Sequence, residues 1–254
     1  MAEVRRASAV PLLAVGAALA CAGYMVIGAK GDWAFVLAFR GGKLAALALI
    51  ACAVAVATVL FQTITANRIL TPYVMGFDSL YIALQTALVA ALGSGAVSAL
   101  DPRWRFVLEA ALMIVLSLAL FRWLFTGGTR SIHLLVLAGI VCGVLFRSVA
   151  HLLQRILDPN EFSVLQDLMF ANFNTVDTSL LGISCLAVLA VAVVLAPVHP
   201  TLDVLALGRE SAVGLGVDYR ATVTRILAGI AILVSVSAAL VGPITFFCLV
   251  VASL

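Results

Sequence analysis

The chain has 254 residues, of which 64% are hydrophobic and only 11% charged, with a mean hydropathy of +1.21. Soluble domains carry about 25% charged residues, so a water-soluble fold is excluded and a membrane is the chain's solvent. The net charge of +3 is small and spread along the chain, which gives no nucleic-acid signal.

In hydrocarbon every peptide group must find its partner inside the chain, so only helices or closed barrels can span. No ten-residue alternating pattern recurs here, which rules against a barrel. The fold class is therefore all-α: a polytopic transmembrane helical bundle, read as a single domain over residues 1–254. Apolar runs near the required length of about 20 residues fall at 9–29, 41–62, 74–94, 105–126, 132–153, 178–198 and 221–241. An eighth starts near Pro243 and is cut short at Leu254. The first run follows Arg5 and Arg6 like a signal peptide, but it is too long for an h-region and lacks a clear cleavage site. It reads as a retained helix.

Arg40 and Lys43, three residues apart at the start of the second span, face the same way on a helix. Interfacial snorkelling is the ordinary use of such cations. After that span comes Gln62-Thr63-Ile64-Thr65-Ala66-Asn67-Arg68-Ile69-Leu70-Thr71-Pro72-Tyr73-Val74-Met75-Gly76. Asn67 and Thr71 are capping types, Pro72 suits the first turn of a following helix, and Gly76 permits a close helix crossing. Asp78 falls in that helix's first turn, where the helix dipole favours a carboxylate. An intramembrane acid is also a functional candidate, and both readings stay open for Asp78 and for Glu109. Trp104, in the short segment Asp101–Arg105, is an interfacial anchor.

Gly127-Gly128 is no phosphate loop, because G-x-x-x-x-G-K-[ST] occurs nowhere in the chain. Asp158, Glu161, Asp167 and Asp177 alternate with Phe162, Phe170 and Phe173 in the longest outer segment and read as a solvated face. His133, His151 and His199 lack metal-ligand spacing. Cys21, Cys52, Cys142, Cys185 and Cys248 all lie in apolar runs and read as buried small hydrophobes. No metal, cofactor or catalytic constellation is implied, and the chain is not expected to be an enzyme.

Pro200 to Arg225 is the longest polar interruption in the second half. Thr201 and Asp203 are N-cap types, and Leu202, Leu205 and Leu207 give an apolar side. Gly208 punctuates, Arg209–Leu215 makes two more turns, and Gly216 ends them in a left-handed cap. Two short helices at about 201–218 follow from this pattern. Their apolar side must be buried either by their own bundle or by a cytosolic partner. Gly242-Pro243 ends the seventh span and starts a new helix. With the N-terminus inside, the 15 Lys and Arg divide eight inside against seven outside, which does not settle orientation.

Three segments carry a family resemblance that extends over nearly the whole chain. Leu207-Gly208-Arg209-Glu210-Ser211-Ala212-Val213-Gly214-Leu215-Gly216-Val217 resembles the L-G-x-x-x-A-x-x-L-G-V coupling loop of FecCD-type ABC importer permeases for iron–siderophores, haem and cobalamin. The Gln62–Gly76 segment resembles that family's Q-x-x-x-x-N-P-L-A-x-P-x-x-L-G, with Arg68-Ile69-Leu70-Thr71 in place of the commoner residues. Val241-Gly242-Pro243-Ile244-Thr245-Phe246-Phe247-Cys248-Leu249-Val250 is similar to G-P-I-x-F-x-G-L, with Cys248 where glycine is usual. The N-R-I-L-T-P version resembles the catecholate or carboxylate siderophore branch.

The resemblance implies a permease subunit with about ten spans in full-length members, so this chain is C-terminally short. It implies that Leu207, Gly208, Glu210, Ala212, Leu215, Gly216 and Val217 seat in a cytosolic ATPase subunit. Arg40 and Lys43 then match a cation pair that meets glutamates on a substrate-binding protein. Gln62, Asn67, Pro72, Gly76, Gly242 and Pro243 belong to the translocation path and its structural motifs. Further implied partners are a second permease, identical or homologous, a ferric siderophore as cargo, and membrane lipid. The implied location is the bacterial inner (plasma) membrane. The alternative is an ion-gradient-driven secondary transporter, which needs midplane carboxylates or broken helices. A membrane-embedded enzyme would need His, Asp or Glu clustered across spans.

Overall fold

The computed structural model describes residues 2–28, 32–125, 132–171, 173 and 177–244. Among these the regular structure is entirely helical. In chain order the helices are α1 (Ala2–Val26), α2 (Trp33–Thr65), α3 (Phe77–Leu92), α4 (Ser94–Ala99), α5 (Pro102–Phe125) and α6 (Ile132–Gln154). They continue as α7 (Pro159–Leu168), α8 (Leu181–Leu195), α9 (His199–Ala206), α10 (Arg209–Gly214) and α11 (Tyr219–Val241). Each of the seven complete apolar runs carries a helix. Trp33–Thr65, Pro102–Trp123, Val136–Gln154, Leu181–Ala206 and Tyr219–Val241 are long and apolar enough to cross a bilayer, and Pro11–Val26 and Phe77–Leu92 are shorter apolar helices. The eighth span falls, beyond Ile244, outside the described residues.

The chain divides into two compact units, 1–48 and 49–254, and the division lies within α2. The first unit holds α1 and the opening turns of α2. There the Arg40 guanidinium donates to the carbonyls of Tyr24 (2.7 Å) and Ile27 (2.8 Å), so it closes the orphan C-terminal carbonyls of α1.

In the second unit α3 packs along α6, and α11 packs between α5 and α8. Val223, Ile226, Leu227, Ile230, Leu233 and Val234 make α11 the most enclosed helix of this unit. The α3–α6 contact is set by glycine. Gly76 adopts φ 87°, and a Cβ placed on it would stand 2.6 Å from the Gly143 Cα, so the backbones meet with no side chain between them. In lipid no hydrophobic force drives helices together, and close backbone approach is what makes such a contact favourable. The same principle explains the exterior. Leu186, Leu189, Val193 and Val194 of α8 are exposed, as suits a surface meeting acyl chains.

Two elements close the ends of this unit. Leu165 of α7 is fully enclosed with Val89 of α3 and Val97 of α4, and a Glu161 carboxylate oxygen accepts from the Ser94 N–H (3.4 Å). At the opposite end α8 runs through a short 3-10 turn into α9, then α10.

Some expectations need correction. The cysteines are not core thiols: Cys21, Cys52 and Cys185 are exposed and Cys142 is half-buried. An apolar run signals burial in something apolar, and here that is the lipid-facing surface. Cys248 lies outside the described residues. Thr201 is not an N-cap either, since helix already runs from His199 and the Thr201 hydroxyl donates to the Val198 carbonyl at 2.6 Å.

Candidate functional site

The α9–α10 element is built by three backbone devices. Gly208 (φ 96°, ψ 168°) separates the helices in a region open almost only to glycine, and its carbonyl accepts from the Ala212 N–H at 3.1 Å. Gly216 (φ 84°) ends α10, where the Gly216 N–H donates to Val213 and the Val217 N–H to Ala212, both at 3.0 Å. This double closure is a Schellman motif. Asp218 then caps α11, its carboxylate accepting from the Ala221 N–H at 3.0 Å.

The side chains divide cleanly. Leu205 and Ala212 are buried against their own unit. Leu207 is 67% exposed, Val213 55% and Leu215 65%, with Glu210 exposed beside them. Burial by the bundle therefore holds for Leu205 and Ala212, while Leu207, Val213 and Leu215 are left uncovered by the chain itself. One face seats the element on the bundle and the other presents uncovered leucines and a valine at a polar boundary.

The segment between α2 and α3 is also tightly specified. The Gln62 side-chain amide donates to the Arg68 carbonyl (2.6 Å), and the Asn67 carboxamide accepts from the Ile69 N–H (2.9 Å). Asn67 thus makes a local Asx turn in the loop rather than a cap on α3. Pro72 opens a 3-10 turn, Pro72–Met75, before α3, and Thr71 precedes it in extended conformation with no side-chain cap. Gly76 closes that turn and touches Gly143, while Met75 packs on Gly139. Gln62, Asn67, Pro72 and Gly76 therefore fix one joint. Gly242 and Pro243 form another: Gly242 (φ 99°) ends α11, and a Cβ there would stand 3.1 Å from the Phe170 carbonyl oxygen. Thr245 to Val250, the rest of that motif, lie outside the described residues.

Arg40 and Lys43 do not sit at the start of their helix. The α2 helix begins at Trp33, about two turns earlier than the apolar run suggests, because Trp33, Phe35 and Phe39 are apolar enough for the interface. Arg40 stacks on Tyr24 as it caps α1, and the Lys43 ammonium lies 4.1 Å from the centroid of the Phe39 ring. Asp78 does not cap α3 through its side chain and is buried. Glu109, two turns inside α5, is buried and paired with Arg105 (2.8 Å). Arg105 and Glu109 border a cleft of about 690 Å³ with Tyr81, Asp167 and Asp177. The Ser179 backbone N–H, with help from its hydroxyl, holds the Asp177 carboxyl below the usual carboxylate range. Any stability from that contact is present at neutral pH and is lost as pH falls through the lowered value.

Sequence order alone overlooked Arg147. Counted with the outer charges, it lies inside α6 and donates to the Ser79 hydroxyl at 3.3 Å.

A bundle of helices long and apolar enough to cross a membrane, with the structured helical pair α9–α10 at one end, places the chain among multi-pass membrane proteins. The chain belongs to the FecCD transport family, which matches residues 26–254. It is 45% identical over 242 residues to the petrobactin import system permease protein YclO of Bacillus subtilis (strain 168), covering 95% of this chain and 77% of that one. It is 36% identical over 222 residues to the petrobactin import system permease protein FatC of Bacillus anthracis, covering 87% of this chain and 63% of that one. Among solved structures it resembles one assigned as a metal-chelate type ABC transporter in an inward-facing conformation, with TM-score 0.76 and 20% identity, covering 94% of this chain and 78% of that one. At that identity the likeness establishes the fold.

Proposed function

We propose that this chain is the permease subunit of an ABC importer that carries iron–siderophore complexes across a bacterial plasma membrane. The observation that carries the reading is the 45% identity, over nearly the whole chain, to a petrobactin import permease. The exposed face of α9–α10 supports it, because uncovered Leu207, Val213 and Leu215 suit the groove of a cytosolic ATPase subunit. The whole chain works as one permease domain. It performs no chemistry itself: ATP is hydrolysed in the ATPase subunit, a substrate-binding protein delivers cargo at the outer rim, and a second permease completes the path.

In this scheme α9–α10 must make different contacts in the ATPase's two nucleotide states, since a contact equal in both shifts nothing. The Schellman closure and the Asp218 cap make the element stiff enough to pass that difference to α11, which is packed between α5 and α8. The joints at Gly76 and Gly242 place close backbone contacts where helices must shift together.

Capture of the ATPase by the detergent-solubilised chain tests the reading. Wild type is expected to retain its ATPase, and a variant lacking 203–217 to lose it. Clean, folded wild-type chain that captures no ATPase overturns the proposal.

A further inference from the structure

Arg147, His151 and Arg155 recur every fourth residue, which places them along one side of α6 and its last turn. Arg147 is the unusual member. It lies seven residues before the end of α6, about 10 Å along the helix axis, and it is exposed among Val144, Leu145 and Val149. A guanidinium facing acyl chains at that depth is costly.

Snorkelling does not account for it. The guanidinium is directed at Ser79, in the first turn of α3, and Ser79 also neighbours Gly143, one turn further from the mouth. The head group therefore points into the membrane rather than out of it. Among the described residues its one partner is that neutral hydroxyl, so the charge is not cancelled by a carboxylate. At the mouth, His151 and Arg155 border a cleft of about 420 Å³ with Gln154, Leu157, Pro159 and Phe162. His151 Nδ1 is 3.2 Å from Gln154 Oε1, and Gln154 donates on to Thr86 of α3 (3.1 Å), which fixes this end of the face.

We infer that this face of α6 is wetted rather than lipid-covered, and that Arg147 and Arg155, with His151 between them as a polar contact, form a cationic track for an anionic cargo. The ligand chemistry is a metal chelate with net negative charge, presenting carboxylate or catecholate oxygens. Two guanidinium groups are suited to such oxygens, and Leu157 and Phe162 offer apolar surface to a chelate's organic shell. The inference rests on the importer reading for the identity of the cargo. It does not rest on it for the wetting or the sign of the field.

Thiol chemistry tests those two features directly in the assembled importer. Ser148→Cys, in a background with the native cysteines replaced by serine, is reacted with two water-soluble methanethiosulfonates, one bearing a sulfonate and one a trimethylammonium. Both are expected to react, the sulfonate with the advantage. Arg147→Gln is expected to cut the sulfonate-to-ammonium rate ratio roughly three- to tenfold, and Arg147→Lys to keep it. Arg155→Gln, at an exposed position, gives the same readout at the mouth should Arg147→Gln fold poorly. Labelling by N-ethylmaleimide alone would show a lipid-covered face and overturn the inference. So would a ratio unmoved by both charge removals. Uptake of radioactive ferric petrobactin in the same cells is scored separately. The expected thiol pattern without any uptake defeats the importer reading and leaves the cationic track standing.

Discussion

Two residues show how far one atom decides the structure. At Gly76 a methyl group would meet backbone, 2.6 Å from the Gly143 Cα, and the residue holds φ 87°. Neither contact yields by rotating a side chain. Gly76→Ala is expected to cost about 2–4 kcal/mol from left-handed strain and overpacking together. Thermal unfolding in detergent should show the loss, and an unchanged midpoint would mean the α3–α6 crossing is looser than drawn. Arg40 is a harder case, because its guanidinium both closes α1 and faces the outer rim in the proposed orientation. Arg40→Glu with Lys43→Glu is expected to weaken docking of the binding protein in a salt-sensitive manner. Each exposed pair is worth only about 0–1 kcal/mol, so the effect belongs mainly in the association rate. Docking that is unchanged at low salt would leave Arg40 as the cap of α1 and nothing more.

At the scale of the element, α9–α10 is specified by backbone conformation more than by side chains. A Cβ at Gly208 or Gly216 would have nothing within 4 Å of it, yet both residues hold positive φ. A substitution there is therefore strained for torsional reasons, while the bundle around it has room. Gly208→Val and Gly216→Val are expected to leave membrane insertion intact and to reduce iron uptake severely, through a misaligned coupling element. Normal uptake by both variants would remove α9–α10 from the coupling role. The glycines were legible in the sequence as punctuation, and the Schellman closure at Gly216 matches that reading. The division of labour between Leu205 and Leu207 was not legible, because two leucines two residues apart look alike until the bundle's surface is in place.

For the whole molecule, hydropathy and length determined the class of fold. A chain this apolar, with no recurring alternating pattern for a barrel, satisfies its peptide groups by helices, and each complete apolar run became one. Motif spacing likewise marked the joints at Gly76 and Gly242 before any packing was known. The burial of Glu109, the capping of α1 by Arg40 and the outward placement of the cysteines came only from the assembled helices. The physical reason is the solvent. In water, burial against protein and apolar character coincide, so a pattern of residues announces its own interior. In a bilayer the exterior is apolar too, and which face of a helix meets protein, lipid or a wetted path is decided by backbone approach and by the partners of a few polar groups. Arg147 carries that lesson: its place in the sequence says only that it is charged, and its contact with Ser79 says which way the charge points.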